Sequence, residues 1–222
     1  RSDKEFFLRK RIGIGVPATI IPGSGVDVTR FNVRPLKTKD KKKFLFIGRF
    51  LTDKGVREFI NAANIIHSNK FKDVEFQLVG EVTQKNRTSI NVSELQEWGK
   101  LSFVQIFDWR TDVRPLIEDA CCIVLPSYRE GLPRTLIEAG AMGRPVIATA
   151  VAGCKDVVVD GVTGLLCQPK SSEDLAEKIK IFLNYNSSEL EVMCVKARRR
   201  VEEEFSQDII LAKYEEILRN LI

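Results

Sequence analysis

The sequence predicts an α/β fold: a parallel sheet with helices packed on both faces. From Lys43 onward, short apolar runs of strand length alternate with longer segments whose apolar residues recur at helical spacing. The strand runs are apolar nearly throughout, as in Lys43-Phe44-Leu45-Phe46-Ile47, which is the pattern of strands covered on both sides. The apolar fraction of 44% is ample for the core that such a sheet needs. Alternation of this kind argues for a doubly covered parallel sheet, and chain chirality then makes the crossovers right-handed.

In chain order, residues 1–16 read as a charged helix and a turn, Ala18-Thr19-Ile20-Ile21 as a short strand, and 22–42 as a connector. Strands are expected at 43–47, 74–79, 101–106, 121–125, 145–149 and 163–167. Helices are expected at 55–68, 92–99, 112–119, 133–142, 172–184, 188–204 and 206–220. The first of these carries Val56, Phe59, Ile60, Ala63 and Ile66 on one side. The helix at 133–142 starts on Pro133, whose missing N–H is no loss at a first helical position. In the last two helices Val192, Val195, Val201, Phe205, Ile209, Ile210, Tyr214, Ile217 and Leu218 recur at helical intervals. They are read as packing against the sheet and the domain rear, with a partner-binding stripe as the alternative.

The net charge of +5, from 35 basic and 30 acidic side chains, is too mild to argue for nucleic acid. Lys37, Lys39, Lys41, Lys42 and Lys43 form the densest basic cluster. It reads as a solvated connection between domains; the alternative is a patch leaning toward anionic lipid. Five cysteines without metal-ligand spacing read as reduced thiols filling the core in a cytosolic setting. Cys121 and Cys122, adjacent in a strand, should point to opposite faces. His67, the only histidine, reads as a helix-end residue, which leaves no Ser/His/Asp triad and no histidine-based metal site. Gly13-Ile14-Gly15-Val16-Pro17-Ala18 superficially matches a dinucleotide fingerprint but follows a charged stretch rather than a strand, and is rejected.

The run Ser127-Tyr128-Arg129-Glu130-Gly131-Leu132-Pro133-Arg134-Thr135-Leu136-Ile137-Glu138 is the most informative segment. It sets two carboxylates eight positions apart across a loop entering a helix. The amides of Arg134, Thr135 and Leu136 have no partners inside that helix and carry the positive end of its dipole, a site for phosphate. Ionised carboxylates accept hydrogen bonds and so pair with vicinal hydroxyls. Hydroxyls, a phosphate, then hydroxyls again is the layout of a nucleotide sugar. Arg49 and Lys54 fall in the loop after the first strand, where ligands of open parallel sheets bind, and two cations there suit a diphosphate.

Residues 43–55 with 126–139 resemble the donor-binding half of the retaining nucleotide-sugar glycosyltransferases of family 4, or group 1. The resemblance runs through Gly48-Arg49…Lys54-Gly55 and Glu130…Glu138, and extends over nearly the whole chain. Ile21-Pro22-Gly23-Ser24-Gly25-Val26-Asp27…Phe31, Val79-Gly80, Leu125-Pro126-Ser127, Met142-Gly143-Arg144-Pro145-Val146 and Asp160-Gly161-Val162-Thr163-Gly164 fall where the family has them. The Gly-Leu-Pro-Arg version, with Asn86…Glu94-Leu95…Trp98, is most similar to the branch that builds polysaccharides or glycans on polyprenyl-diphosphate carriers.

The resemblance implies a Rossmann-like domain, the C-terminal half of a two-domain B-type glycosyltransferase fold. Residues 1–36 then form the tail of an acceptor domain and the connector, and 37–222 the donor domain. It implies transfer of a hexosyl or N-acetylhexosaminyl group from a nucleoside diphosphate sugar, a UDP-sugar by the sub-branch, with retention by a same-face, internal-return route. Catalytic roles fall to Arg49, Lys54 and Glu130. Substrate binding falls to Gly48, Trp109, Arg110, Gly131, Leu132, Pro133, Arg134, Thr135 and Glu138. Trp109 or Arg110 would stack on the base, or alternatively form an aromatic rim over the sheet. Pro133, where many relatives have glycine, removes one amide from the phosphate cradle. No cofactor and no metal is implied, since Asp53, Asp108 and Asp112 stand singly and the cations do the work of a divalent ion.

The expected partners are the nucleotide sugar and a glycan or lipid-linked acceptor, the latter through an N-terminal domain not in this chain. The chain alone is accordingly expected to bind nucleotide without turnover. The expected setting is cytoplasmic, with peripheral contact at the inner membrane face as an option for the full-length protein. The alternative function is a non-catalytic nucleotide-sugar-binding subunit that needs a separate acceptor protein. An epimerase is disfavoured by the single histidine, and a signalling module by the lack of a P-loop lysine motif.

Overall fold

A computed structural model describes residues 7, 9, 10, 19–36, 41–69, 71, 73–83 and 86–219. Six strands form one sheet: β1 (Lys42–Ile47), β2 (Val74–Gly80), β3 (Val104–Asp108), β4 (Cys122–Leu125), β5 (Val146–Thr149) and β6 (Gly164–Cys167). Every pairing is parallel, and the order is β3-β2-β1-β4-β5-β6. The order reverses between β1 and β4, which opens a crevice at the carboxyl ends of those two strands.

Eight helices of four or more residues connect and cover the strands among the described residues. They are α1 (Val56–Ser68), α2 (Val92–Gly99), α3 (Arg114–Asp119), α4 (Arg134–Ala141), α5 (Ala152–Val157), α6 (Ser172–Asn184), α7 (Ser187–Glu204) and α8 (Gln207–Arg219). Alternation along β1 divides the core into two layers. Phe44 and Phe46 face α1 and α6, where Phe44 stacks on Phe76 at 5.6 Å and meets Phe182 edge-on at 5.6 Å. Leu45 and Ile47 face the opposite layer, with Ile123, Leu125, Leu136, Ile137 and Val146.

Arginines fasten the connector to this domain, Arg144 and Arg198 with several bonds each and Arg114 with one to Arg30 O at 3.4 Å. Arg144 is fully buried and donates to five backbone carbonyls, those of Arg34, Pro35, Ile117, Glu118 and Met142, at 2.7–3.2 Å. Arg198 of α7 donates to the carbonyls of Val28, Phe31 and Ala141. Gly140 lets α4 and α7 approach closely, since a Cβ there would lie 2.8 Å from a Val201 methyl.

Several expectations need correction. Residues 19–21 form no strand, and Ala18 lies outside the described residues, as do nearly all of the expected helix at 1–16 and the Gly13–Ala18 segment. β3 runs 104–108 rather than 101–106, because the amides of Leu101 and Val104 close turns onto Trp98 and Leu101. Pro133 is the N-cap of α4 with φ −74° and ψ 109°, not its first helical residue. Cys121 precedes β4, and both it and Cys122 pack in the layer with α1 and α6, so they do not split between faces. Lys42 and Lys43 belong to β1, and Lys43 pairs with Asp119 at 2.5 Å, so the basic cluster is only partly connector. Lys37 and Lys39 lie outside the described residues. The sequence reading also missed α5 and the 3₁₀ turn Thr52–Lys54.

Candidate functional site

The loops after β1 and β4 leave adjacent parallel strands from the same edge of the sheet, so both line the crevice at the reversal point. Gly48 follows β1 and donates its amide to Val79 O at 3.0 Å. Arg49 then projects as an exposed residue. The turn Thr52–Lys54 is closed by Gly55 at φ 72°, a left-handed conformation that favours glycine. Gly55 also sits where a Cβ would meet Pro126 O at 2.1 Å, so the two loops touch backbone to backbone. Tyr128 N donates to Asp53 O at 2.8 Å and ties them again.

This places Lys54 against Glu130, with Nζ 2.7 Å from Oε1 and side chains only 21% and 12% exposed. α4 begins just beyond. The Pro133 carbonyl accepts the amides of Leu136 and Ile137 at 3.2 and 3.4 Å. Leu136 is therefore occupied, and the free first-turn amides are those of Arg134 and Thr135, a correction to the expected three. Glu138, 15% exposed, is reached by Arg134 Nη2 at 3.4 Å. Burial pushes the Glu138 carboxyl above its usual range, with Arg134 pulling the other way.

Trp109 and Arg110 follow β3 at the same edge, two strands from β1, or roughly 10 Å at about 4.8 Å per strand. Both are exposed, Trp109 by 50%. Nearby, Arg114 grips Asp112 in a two-point pair and holds its carboxyl down to about 2. Thus Lys54 and Glu130 meet directly, and Gly48 and Arg49 precede Lys54 on the loop after β1. Gly131, Leu132, Pro133, Arg134, Thr135 and Glu138 follow Glu130 into α4, and Trp109 and Arg110 lie two strands from β1 at the same edge of the sheet. A separate groove of about 810 Å³ lies between Val33–Leu36 and α7, away from these residues.

Sequence reasoning missed the braces. Arg57 forks onto Glu94 at 2.8 and 2.9 Å and donates to Thr52 Oγ1 at 2.8 Å, which fixes the Lys54 turn from behind. Thr52 N donates to Thr88 O at 2.7 Å. Tyr128 donates its hydroxyl to Glu58 at 2.5 Å, and burial with that carboxylate pushes the phenol up. Thr149 Oγ1 donates to Ser127 O beneath the Glu130 loop. The capping pattern Asn91…Glu94 was the single local signal among these, and it does not announce Arg57.

The fold and crevice define a doubly wound α/β domain of Rossmann type, with a helix N-terminus and a lysine–glutamate pair at its switch point. The family model described as glycosyl transferases group 1 matches residues 27–201, and the chain belongs to that family. It is 29% identical over 207 residues to the capsular polysaccharide biosynthesis glycosyltransferase CapM of Staphylococcus aureus, covering 90% of this chain and 53% of that protein. It is 26% identical over 209 residues to the N,N'-diacetylbacillosaminyl-diphospho-undecaprenol alpha-1,3-N-acetylgalactosaminyltransferase of Campylobacter jejuni, covering 88% and 52%. The chain spans about half the length of the curated relatives it matches. Among solved structures, Anabaena HepE in complex with UDP superposes with a TM-score of 0.86 at 21% identity, over 99% of this chain and 62% of that one. That similarity shows the fold, a Rossmann-like parallel α/β domain. Among the described residues, no helix is long and apolar enough to cross a membrane.

Proposed function

We propose that this chain is the donor-binding half of a retaining glycosyltransferase. It holds a nucleoside diphosphate sugar, a UDP-sugar, for transfer of a hexosyl or N-acetylhexosaminyl group to a glycan or polyprenyl-diphosphate-linked acceptor. The observation that carries the reading is the meeting of Lys54 and Glu130 at 2.7 Å, beside the open first turn of α4 and at the point where the sheet order reverses. The names of the Staphylococcus and Campylobacter relatives support polysaccharide or carrier-linked glycan assembly, and the UDP bound by HepE supports the choice of base.

The diphosphate lies over the N-terminus of α4. Arg49, Lys54 and the amides of Arg134 and Thr135 neutralise it. Glu138 accepts the ribose hydroxyls, and Trp109 or Arg110 packs on the base. Glu130 accepts the sugar hydroxyls and stands near the anomeric carbon. When the bond from that carbon to the β-phosphate oxygen lengthens, negative charge grows on the phosphate and positive charge on the ring. The cations stabilise the first and Glu130 the second. The acceptor hydroxyl enters on the face the phosphate leaves, gives its proton to the departing phosphate, and keeps the anomeric configuration. No metal enters this scheme, because the diphosphate charge is met by side-chain cations and helix amides.

Residues 37–222 form the donor domain in this reading, and 1–36 the connector and tail of an acceptor domain. Contact of the full-length protein with the inner membrane face would follow from a carrier-linked acceptor. Calorimetry of this chain with UDP, GDP, ADP and TDP tests the reading. UDP is expected to bind with the highest affinity. Failure of all four to bind would overturn the donor site, and robust sugar transfer by this chain alone would overturn the domain assignment.

A further inference from the structure

We propose that Gly153 is a positioning residue for the donor site: its missing side chain lets the first turn of α5 serve as the floor under the Glu130–Gly131 loop, and so sets Glu130 against Lys54. The proposal deepens the donor-site reading above and rests on it.

β5 lies beside β4, so α5 emerges at the carboxyl edge directly next to the Glu130 loop. Gly153 is buried in the first turn of α5. A Cβ on it would stand 2.5 Å from Glu130 O and 2.2 Å from Gly131 O. Both are backbone atoms, which cannot rotate aside as a side-chain tip does; a methyl there forces the loop itself to shift. The backbone at Gly153 is helical and has no positive φ, so conformation does not call for glycine. Inside a helix glycine is less favourable than alanine, and close approach of the loop is the compensating gain.

The fit is one-sided. A Cβ on Gly131 would meet nothing within 4 Å, so the constraint comes from the floor and not from the loop above it. The neighbouring Cys154 is fully buried and anchors the turn in the core. The Thr149 hydroxyl donates to Ser127 O and fixes the near end of the same loop. The turn that carries Lys54 is fastened to the near end of this loop, at Pro126 and Tyr128, through the Gly55–Pro126 contact and the Tyr128–Asp53 hydrogen bond, and not to the Glu130–Gly131 stretch that rests on α5. When Glu130 and Gly131 rise from α5 while residues 126–128 stay held by Thr149 and by the Lys54 turn, Glu130 moves relative to Lys54 and the pair opens.

The test compares wild type, Gly153→Ala and a control, Gly99→Ala, where a Cβ would meet nothing within 4 Å. Calorimetry with UDP and with UDP-N-acetylglucosamine is combined with a thermal-stability cycle that adds Lys54→Met to wild type and to Gly153→Ala. Gly153→Ala is expected to weaken the nucleotide sugar by about tenfold or more, the scale of one lost charge-assisted contact, and Gly99→Ala to leave it unchanged. Lys54→Met is expected to lower the Tm less in the Gly153→Ala background than in wild type, because the pair is already open. Additive Tm losses overturn the proposal, as does a wild type that binds UDP beside a Gly153→Ala that keeps full affinity for the nucleotide sugar. If wild type binds neither nucleotide, the donor reading fails, while the cycle still decides whether Gly153 positions Glu130. Should Gly153→Ala not fold, Thr149→Val loosens the same loop without a clash; its coupling to Lys54→Met supports the proposal and additivity overturns it.

Discussion

Replacing Lys54 with alanine separates what the ion pair does for stability from what it does for the ligand. The side chains meet at 2.7 Å with 21% and 12% exposure, so the variant leaves a mostly buried carboxylate without its cation. Breaking a fully buried pair costs about 3–5 kcal/mol, and an exposed one about 0–1 kcal/mol. This partly open pair falls between, at about 1–3 kcal/mol. At roughly 2–4 °C per kcal/mol for a chain of this size, the Tm should drop by about 2–12 °C. For the ligand, a hydrogen bond to a charged group is worth about 1.5–3 kcal/mol, so UDP affinity should fall roughly 10- to 150-fold. In the whole enzyme, losing one donor to the developing phosphate charge should cost about 3–4 kcal/mol of barrier, or roughly two to three decades of turnover. The assay is differential scanning calorimetry with UDP titration on Lys54→Ala and on Lys54→Ala/Glu130→Gln. The double variant has no stranded carboxylate and should recover most of the Tm loss, yet bind UDP no better than the single one. A fall in turnover smaller than about fivefold, near 1 kcal/mol of barrier, would refute the role given to Lys54.

Glu138 makes two opposite demands on pH. Burial raises its carboxyl above the ordinary 4.5, so its contribution to stability is fully present below the unfolded value and lost as pH rises through the folded one. Glu138→Gln should therefore raise the Tm at pH 7 and lose that advantage below about pH 4.5, while weakening UDP about tenfold by giving up a ribose contact; unchanged UDP affinity would remove Glu138 from the ribose. Asp112 should titrate at about 2 by NMR and return toward 3.8 in Arg114→Met. A depressed carboxyl supports the fold above its unfolded value and loses that support as pH falls toward about 2; an ordinary titration in the unsubstituted chain would contradict the two-point pair. Arg144→Met should strand five carbonyls that the guanidinium now satisfies. A loss of about 3–5 kcal/mol in urea denaturation is expected, and one below about 1 kcal/mol would refute the clamp on the connector.

The site was legible where chemistry and spacing are local. Glu130 and Glu138 sit eight positions apart in one loop-and-helix segment, and the helix start between them is a short-range property. The position of Pro133 was read less well, because an N-cap and a first helical residue differ only in the dihedral angles that the preceding loop imposes. α5 went unread for a related reason. Six residues with two small side chains, Ala152-Gly153, carry too little periodicity to register, although their first turn supports the central carboxylate.

By itself the sequence determined the alternation of strands and helices, the apolar layer each presents, and the loops that hold cations and carboxylates. These follow from the period of side chains along a segment, which a few neighbouring residues encode. Only the tertiary structure decided that β4 returns to the side of β1, and so that Lys54 meets a carboxylate 76 positions away. The same holds for the fork of Arg57 on Glu94 and for the five carbonyls around Arg144. The physical reason is that strand order and close backbone approach depend on how all elements pack at once. Carbonyl partners, moreover, are the same for every residue type and leave no local trace.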